Sequence, residues 1–426
     1  MADLSGNLLV AQSGGPTAVI NASLAGVIQQ AGHHDGIEEI YGGANGILGI
    51  LNEELIDINE EKARTIQGLR YTPGAALGTC RYKVDFKHKP EQAAKDMDRF
   101  FEVLQAHNIR YFFYIGGNDS QDTSLKIREE AIKRGYELRV IGVPKTIDND
   151  LPHTDNCPGY GSVIKYMATT VAEVGLDVAS MATDEGSCCL IEVMGRHAGW
   201  IAAGTVLAKR GSATAAPHVI LLPELVFEED KFLAKVKETV AALKHCVVVV
   251  GEGIKDAAGH AVGADQTRLD AFGHPVLAGA AEELKELIQG KLHLKARTAL
   301  VGYAQRAAGH FASQRDSANA FACGEAAVKA AIAGHSGYMV KIVRQVQPDG
   351  SIQWATDLQS LTDTANVERL IPRDWLSEDG FLPNEKFVEY AQPLVEGEVA
   401  FPIEAGLPKY AVLEKTKVEK KLPPRA

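Results

Sequence analysis

Pro144-Lys145-Thr146-Ile147-Asp148-Asn149-Asp150 follows a short apolar run at 138–143 (LRVIGV) that reads as a buried strand. The stretch is too polar to continue that strand. It sets an ammonium, a hydroxyl and two carboxylates within six residues. Carboxylates two apart at a strand end can converge on one site if the chain turns there, and an Asx-turn fits Asn149. The rest of the chain reads as machinery around this turn.

On the N-terminal side, residues 7–12 (NLLVAQ) read as a strand, broken by Ser13-Gly14-Gly15-Pro16. A helix follows, with Ile20, Leu24, Val27 and Ile28 on one apolar face. Strand, glycine turn and helix make a phosphate-site arrangement, because free N–H groups and the positive helix end point the same way. Residues 37–41 read as a second strand, and a loop with Leu77-Gly78-Thr79-Cys80-Arg81 follows. A helix is expected at 91–109 and a buried strand at 111–115 (YFFYI), broken by Gly116-Gly117-Asn118-Asp119-Ser120. Another helix runs to about Arg134, ahead of strand 138–143.

The alternation repeats beyond the turn. Helix 161–175 leads to strand 188–193 and Met194-Gly195-Arg196; strand 218–222 and helix 229–243 follow. Strand 246–250 ends in Gly251-Glu252-Gly253. Helix 275–289 leads to strand 298–302, then Tyr303 and Arg306. A helix at 317–333 and a strand at 338–343 complete the pattern, which weakens beyond about 350. Residues 414–426 (EKTKVEKKLPPRA) read as a solvated tail. The fold class is therefore α/β, with function expected at the C-terminal ends of strands. No low-complexity linker separates the two halves, so the chain is expected to cross between lobes more than once.

With 426 residues the chain can build two or more domains. Hydrophobic content of 46% and charged content of 23% place it among soluble globular proteins. A net charge of −11 argues against nucleic acid or an anionic membrane as partner. No stretch approaches a membrane span. The six cysteines form no C-x-x-C and read as reduced thiols of a cytoplasmic protein.

Five strand ends, at 13–16, 116–120, 144–150, 194–196 and 251–253, hold small or charged residues. Anion handling beside acidic groups suits phosphoryl transfer, which needs a cradle for phosphate oxygens, a divalent cation and a base aimed at the acceptor hydroxyl. There is no G-x-x-x-x-G-K-[ST], since Gly290-Lys291 is followed by Leu292. Gly251-Glu252-Gly253 has Asp256 where a dinucleotide fingerprint needs glycine.

Taken in order, Gly14-Gly15, Gly116-Gly117-x-Asp119-Ser120, Thr146-Ile147-Asp148-Asn149-Asp150, Met194-Gly195-Arg196, Gly251-Glu252-Gly253 and Gly302-Tyr303-x-x-Arg306 resemble the 6-phosphofructokinase family over roughly residues 7–345. The resemblance implies two Rossmann-like three-layer α/β/α lobes with the active site in the cleft between them. It is to the pyrophosphate-dependent branch, on two positions. ATP-using relatives usually have glycine at the positions of Asp119 and Lys145. An aspartate would lie where a nucleotide α-phosphate sits. Two unit charges about 4 Å apart repel by about 4 kcal/mol at an effective dielectric near 20. Without the family context, Asp119 would read as a helix cap and Lys145 as a surface charge.

The resemblance also implies roles. Asp148 is the base that takes the C1 hydroxyl proton of fructose 6-phosphate, with Asp150 beside it assisting with metal or charge. Thr146 and Ile147 adjoin the substrate. Gly14, Gly15 and Arg81 hold pyrophosphate. Asn118 stands where relatives more often have an aspartate ligand to Mg²⁺, and supplies a neutral oxygen. Met194, Gly195, Arg196, Glu252, Arg297, Tyr303 and Arg306 meet the sugar phosphate, Arg297 as a residue lent to a neighbouring subunit.

The implied organisation is a donor lobe at 1–160, a sugar-phosphate lobe at 161–303, a return across both at 304–370, and an extension at 371–426. A homodimer or homotetramer is expected. The competing readings are an ATP-dependent phosphofructokinase and a non-catalytic regulatory subunit of the same fold. Sedoheptulose 7-phosphate stays open as a second acceptor.

Overall fold

The computed structural model describes residues 4–269, 275–277 and 279–425. In chain order the strands are β1 (Gly6–Gln12), β2 (Ile37–Gly43), β3 (Leu55–Asp57), β4 (Ile109–Gly116), β5 (Arg139–Pro144), β6 (Ser187–Val193) and β7 (Val219–Leu221). They continue with β8 (His245–Gly251), β9 (Ala264–Leu269), β10 (Pro275–Leu277), β11 (Lys295–Leu300), β12 (Tyr338–Val346) and β13 (Ile352–Ser360). The chain folds as two compact units. One holds residues 1–159, 314–368 and 398–426, and the other holds 160–313 and 369–397. Both are α/β, so the expected two α/β lobes are present.

The first unit is built on a seven-stranded sheet in the order β13-β12-β5-β4-β1-β2-β3. The five central strands are parallel, and β3 and β13 close the edges antiparallel. Its central strands are apolar on both faces, as a sheet covered on both sides requires. In β4, Tyr111, Phe113 and Ile115 join the core cluster of one face, while Phe112 and Tyr114 join that of the other. The same alternation places Leu8 and Val10 of β1 opposite Leu9 and Ala11. Truncating one buried ring here, such as Phe113→Ala, costs about 3–5 kcal/mol.

Helices Ile20–Ala31 and Gln314–Ile332 cover one face and meet through glycines. A Cβ on Gly26 would lie 2.2 Å from the Phe321 carbonyl oxygen, and one on Gly324 would lie 2.1 Å from that of Ser23. Only residues without a Cβ allow backbones this close.

The second unit has a parallel four-stranded sheet in the order β11-β6-β8-β7. Leu190, Val219, Val248 and Val250 pack with Phe232 and Val236 of helix Glu229–Leu243 and with Leu284 and Ile288 of helix Ala280–Leu292. In each sheet the chain adds strands on one side of its first strand and then on the other. That reversal, between β1 and β4 and between β6 and β11, is where α/β sheets place ligands.

Four sequence expectations are corrected. Helix 275–289 begins only at Ala280, because β10 precedes it and Gly279 adopts a φ of 116°. The last strand of the second sheet spans Lys295–Leu300, earlier than 298–302, since Gly302 turns the chain with a φ of 57°. Regular structure reaches one strand past 350, since β13 pairs with β12 along its whole length, before the pattern weakens.

The fourth correction is that residues 414–425, although most of their side chains are exposed to solvent, are docked by their backbone and do not trail free. Thr416 and Val418 bond β3 through Asp57 N–H (2.8 Å) and the Leu55 carbonyl (3.0 Å), covering the sheet edge. Glu53 accepts the N–H groups of Lys421 (2.6 Å) and Leu422 (3.2 Å) and bonds His107 at 2.7 Å. Burial alone would raise the Glu53 carboxyl, but these donors outweigh it and hold it below the ordinary carboxylate value.

Candidate active site

Adjacent strands β1, β4 and β5 deliver three of the polar stretches to one end of the first sheet. After β1, Gly14 takes a φ of 72° and its carbonyl accepts from Thr79 Oγ1 at 2.7 Å. Its N–H donates to the Cys80 carbonyl at 3.4 Å, so the loop bearing exposed Arg81 is tied to the glycine turn. The helix after this turn starts at Ile20, five residues beyond Gly15. The helix end next to a strand is instead that of Asn118–Lys133, two residues past β4.

Asp119 lies in the first turn of that helix, and the cap position is Gly117, so Asp119 is not the cap. Its carboxylate pairs with Lys83 Nζ at 2.6 Å. Lys145 is not a surface charge either. It is 3% exposed and its Nζ donates to the Gly15 carbonyl at 2.8 Å. A Cβ on Gly14 would sit 3.3 Å from that ammonium. Residues Gly14, Gly15 and Lys145 are thus one cluster.

The turn after β5 is organised by Thr146. Its Oγ1 accepts from the Asp148 N–H at 3.1 Å, and its hydroxyl also bonds the Asp150 carboxylate. Ile147 is buried and Asp148 half-buried. Asn149 adopts a φ of 54°, and its Oδ1 accepts from Cys157 N–H at 2.9 Å, which clamps the turn to a later segment. Burial raises the Asp150 carboxyl, and the Glu368 charge adds to this, against the opposing effects of Thr146 and Lys145. Among the described residues, the Asn118 Oδ1 and one Asp150 oxygen are buried without a hydrogen-bond partner. Both residues adjoin the 367–368 segment, Asn118 through a 2.8 Å bond from its Nδ2 to the Val367 carbonyl.

In the second unit, β6, β8 and β11 deliver the other cluster. Gly195 N–H donates to Glu252 Oε1 at 3.3 Å, and Glu252 N–H donates to the Val193 carbonyl at 3.0 Å. A Cβ on Gly253 would fall 1.7 Å from the Arg196 carbonyl oxygen, so the loops after β6 and β8 touch. The Arg306 guanidinium lies 4.3 Å from the centre of the Tyr303 ring, and Tyr303 is 69% exposed. Arg297 is not in this cluster. It is exposed on edge strand β11, opposite Cys189 and five positions before the level of Met194.

Two residues of these clusters escaped the sequence reading. Lys83 is half-exposed and pairs with Asp119; the alternation Arg81-x-Lys83 was its only local sign. Gln305 is 3% exposed, accepts from Met194 N–H at 3.0 Å and donates to the Gly302 carbonyl at 2.9 Å. It occupies an unassigned position of the Gly302-Tyr303-x-x-Arg306 turn.

The phosphofructokinase family model matches residues 7–331. The chain is 46% identical over 418 residues to a pyrophosphate–fructose 6-phosphate 1-phosphotransferase of Halomonas elongata, with 98% of each covered. Its structure resembles that of a pyrophosphate-dependent phosphofructokinase from Marinobacter aquaeolei, with TM-score 0.88, 44% identity and 99% of each chain covered. A pyrophosphate-dependent phosphofructokinase from Nitrosospira multiformis is similar with TM-score 0.89 and 44% identity, covering 99% of this chain and 100% of that one. With the motifs in order and such relatives matched along nearly the whole length, the chain belongs to the phosphofructokinase family.

Proposed function

We propose that the protein transfers a phosphoryl group from pyrophosphate to the C1 hydroxyl of fructose 6-phosphate, giving fructose 1,6-bisphosphate and phosphate. The observation that carries the donor assignment is the buried Lys145 ammonium beside Gly14 and Gly15, with the Asp119 carboxylate at the neighbouring helix start. A small polyanion gains from the first, and the α-phosphate of a nucleotide is repelled by the second.

The first unit is the donor lobe and the second the sugar-phosphate lobe. Gly15, Arg81 and Lys145 bind pyrophosphate, and the Asn118–Lys133 helix end adds its positive dipole. Met194, Gly195, Arg196, Glu252, Tyr303 and Arg306 hold the sugar and its 6-phosphate. Asp148 takes the proton from the C1 hydroxyl. The C1 oxygen then bonds to one phosphorus as the bridging P–O bond breaks, and phosphate leaves with that electron pair. The Thr146 hydroxyl fixes the turn that aims Asp148.

The partnerless oxygens of Asn118 and Asp150 fit a hard divalent cation, which prefers oxygen donors. These two residues would hold Mg²⁺, which when bound neutralises charge on the donor oxygens. An assembly of two or four copies belongs to the same reading. Arg297, exposed on an edge strand and apart from its own unit's cluster, suits a residue lent to another copy. Residence in the cytoplasm is proposed with it, the free thiols suiting a reducing compartment.

A donor panel tests the reading, with Asp148→Ala as control. Pyrophosphate is expected to support phosphorylation of fructose 6-phosphate, and phosphate with fructose 1,6-bisphosphate to support the reverse reaction. Equal rates with ATP would overturn the donor assignment, and substantial activity in Asp148→Ala would overturn the base.

A further inference from the structure

Asp96, on helix Pro90–Ala106, is 1% exposed and carries three donors. The Tyr82 hydroxyl donates to its Oδ2. Gln92 Nε2 donates to Oδ1 at 2.7 Å, and the Arg425 guanidinium donates to the same oxygen. Arg425 also lies over the Tyr82 ring, 6.0 Å from its centre. The backbone leading to Arg425 is fixed independently, by Glu53 at Lys421 and Leu422 and by Arg99 Nη2 on the Pro423 carbonyl at 2.9 Å.

Tyr82 sits between Arg81 and Lys83, and no helix or strand lies between Tyr71 and Pro90 among the described residues. Tyr82 and Val84 face the core cluster beneath the sheet. Arg81 is exposed and Lys83 reaches Asp119. In extended chain, neighbours point to opposite sides. Fixing Tyr82 inward therefore fixes Arg81 and Lys83 outward.

We propose that the 421–425 segment is a positioning element of the donor site. Arg425, acting through buried Asp96, anchors Tyr82 and so presents Arg81 and Lys83 to the phosphoryl donor. The proposal rests on reading Arg81 and Asp119 as donor-site residues. Arg425, Asp96 and Tyr82 are positioning residues that touch no reacting atom.

The test compares Arg425→Met, Arg425→Lys and Tyr82→Phe with the parent, by steady-state kinetics and by limited trypsin digestion mapped by mass spectrometry. Arg425→Met and Tyr82→Phe are expected to raise the KM for pyrophosphate by about tenfold, the factor one charge-assisted hydrogen bond carries. The KM for fructose 6-phosphate should stay unchanged. Cleavage after Arg81 and Lys83 should quicken, and Arg425→Lys should recover most of the parent behaviour. Tyr82→Phe removes a single hydroxyl, so it keeps the test valid if Arg425→Met fails to fold. An unchanged KM for pyrophosphate, or both KM values rising in step with a falling Tm, would overturn the proposal. If the parent itself does not use pyrophosphate, the functional reading fails instead. The tryptic rate then decides the anchor, and unchanged cleavage at Arg81 and Lys83 overturns it.

Discussion

Lys145 Nζ donates a 2.8 Å hydrogen bond to the carbonyl oxygen of Gly15, and its side chain is buried at the end of β5. A buried ammonium is retained only where anionic or carbonyl groups meet it. Here the Gly15 carbonyl does so. Replacing Lys145 by methionine keeps volume and removes charge. The expected outcome is a rise of about ten- to a hundredfold in the KM for pyrophosphate, the worth of a hydrogen bond to a charged group. The KM for fructose 6-phosphate should hold. Initial-rate kinetics with each substrate varied in turn checks this.

Asp148 is held by its own N–H through Thr146 and stays half-buried. Asp148→Ala is expected to lower kcat by about 10²–10⁴-fold, the usual contribution of a general base. Both KM values should change little, because the lost interaction belongs to the transition state. Single-turnover rates at saturating substrates separate this from a binding defect.

Gly253 lies against the Arg196 carbonyl so closely that any Cβ must displace it. Gly253→Ala is therefore expected to raise the KM for fructose 6-phosphate through the Met194–Arg196 loop, with the KM for pyrophosphate unchanged. The same substitution at Gly290, where a Cβ meets nothing within 4 Å, is the control and should leave both constants alone.

Glu53 ties His107 to the 421–422 backbone, and its carboxyl titrates below the ordinary value of 4.5. A depressed folded value means that the unfolded chain binds more protons near and below pH 4.5. The stabilisation is therefore complete above that pH and is lost as pH falls through the folded value. Thermal melts between neutral and acid pH should show a steeper loss of Tm for the parent than for Glu53→Gln. At neutral pH, Glu53→Ala should cost about 3 kcal/mol, because it leaves buried donors unpaired.

The fold was legible wherever burial is two-sided. Runs such as YFFYI at 111–115 and VVVV at 247–250 are short, apolar and closed by glycine, and each proved to be a central parallel strand. β13 was not legible, because IQWATDLQS is a partly exposed edge strand whose polar residues mask any apolar run. The residues nominated after β1, β4 and β5 share one sheet end because strand order made them neighbours, and glycine punctuation exposed them. Lys83 and Gln305 stayed hidden for a different reason. Their partners, Asp119 and Met194, lie 36 and 111 residues away, and nothing in the local spacing announces such a bond. The docking of 414–425 was least legible. The lysines of this segment face solvent as they read, yet Lys417 and Lys420 pair with Glu54 and the Lys421 N–H bonds Glu53, partners more than 360 residues upstream.

The chain passes between its two compact units after residues 159, 313, 368 and 397, so neither unit is one continuous segment. This has a consequence during synthesis on the ribosome. The first unit's sheet lacks β12 and β13 until residue 360 has emerged, and β3 lacks its covering residues 416–418 until later still. Domains made of one continuous stretch fold in turn as they appear, at about 5–20 residues per second. Here the nascent first unit waits with the β5 edge of its sheet open while the whole of 160–313 is translated. An open strand edge is a template for pairing with another chain, and how long it stays open is set by the order of the strands along the chain.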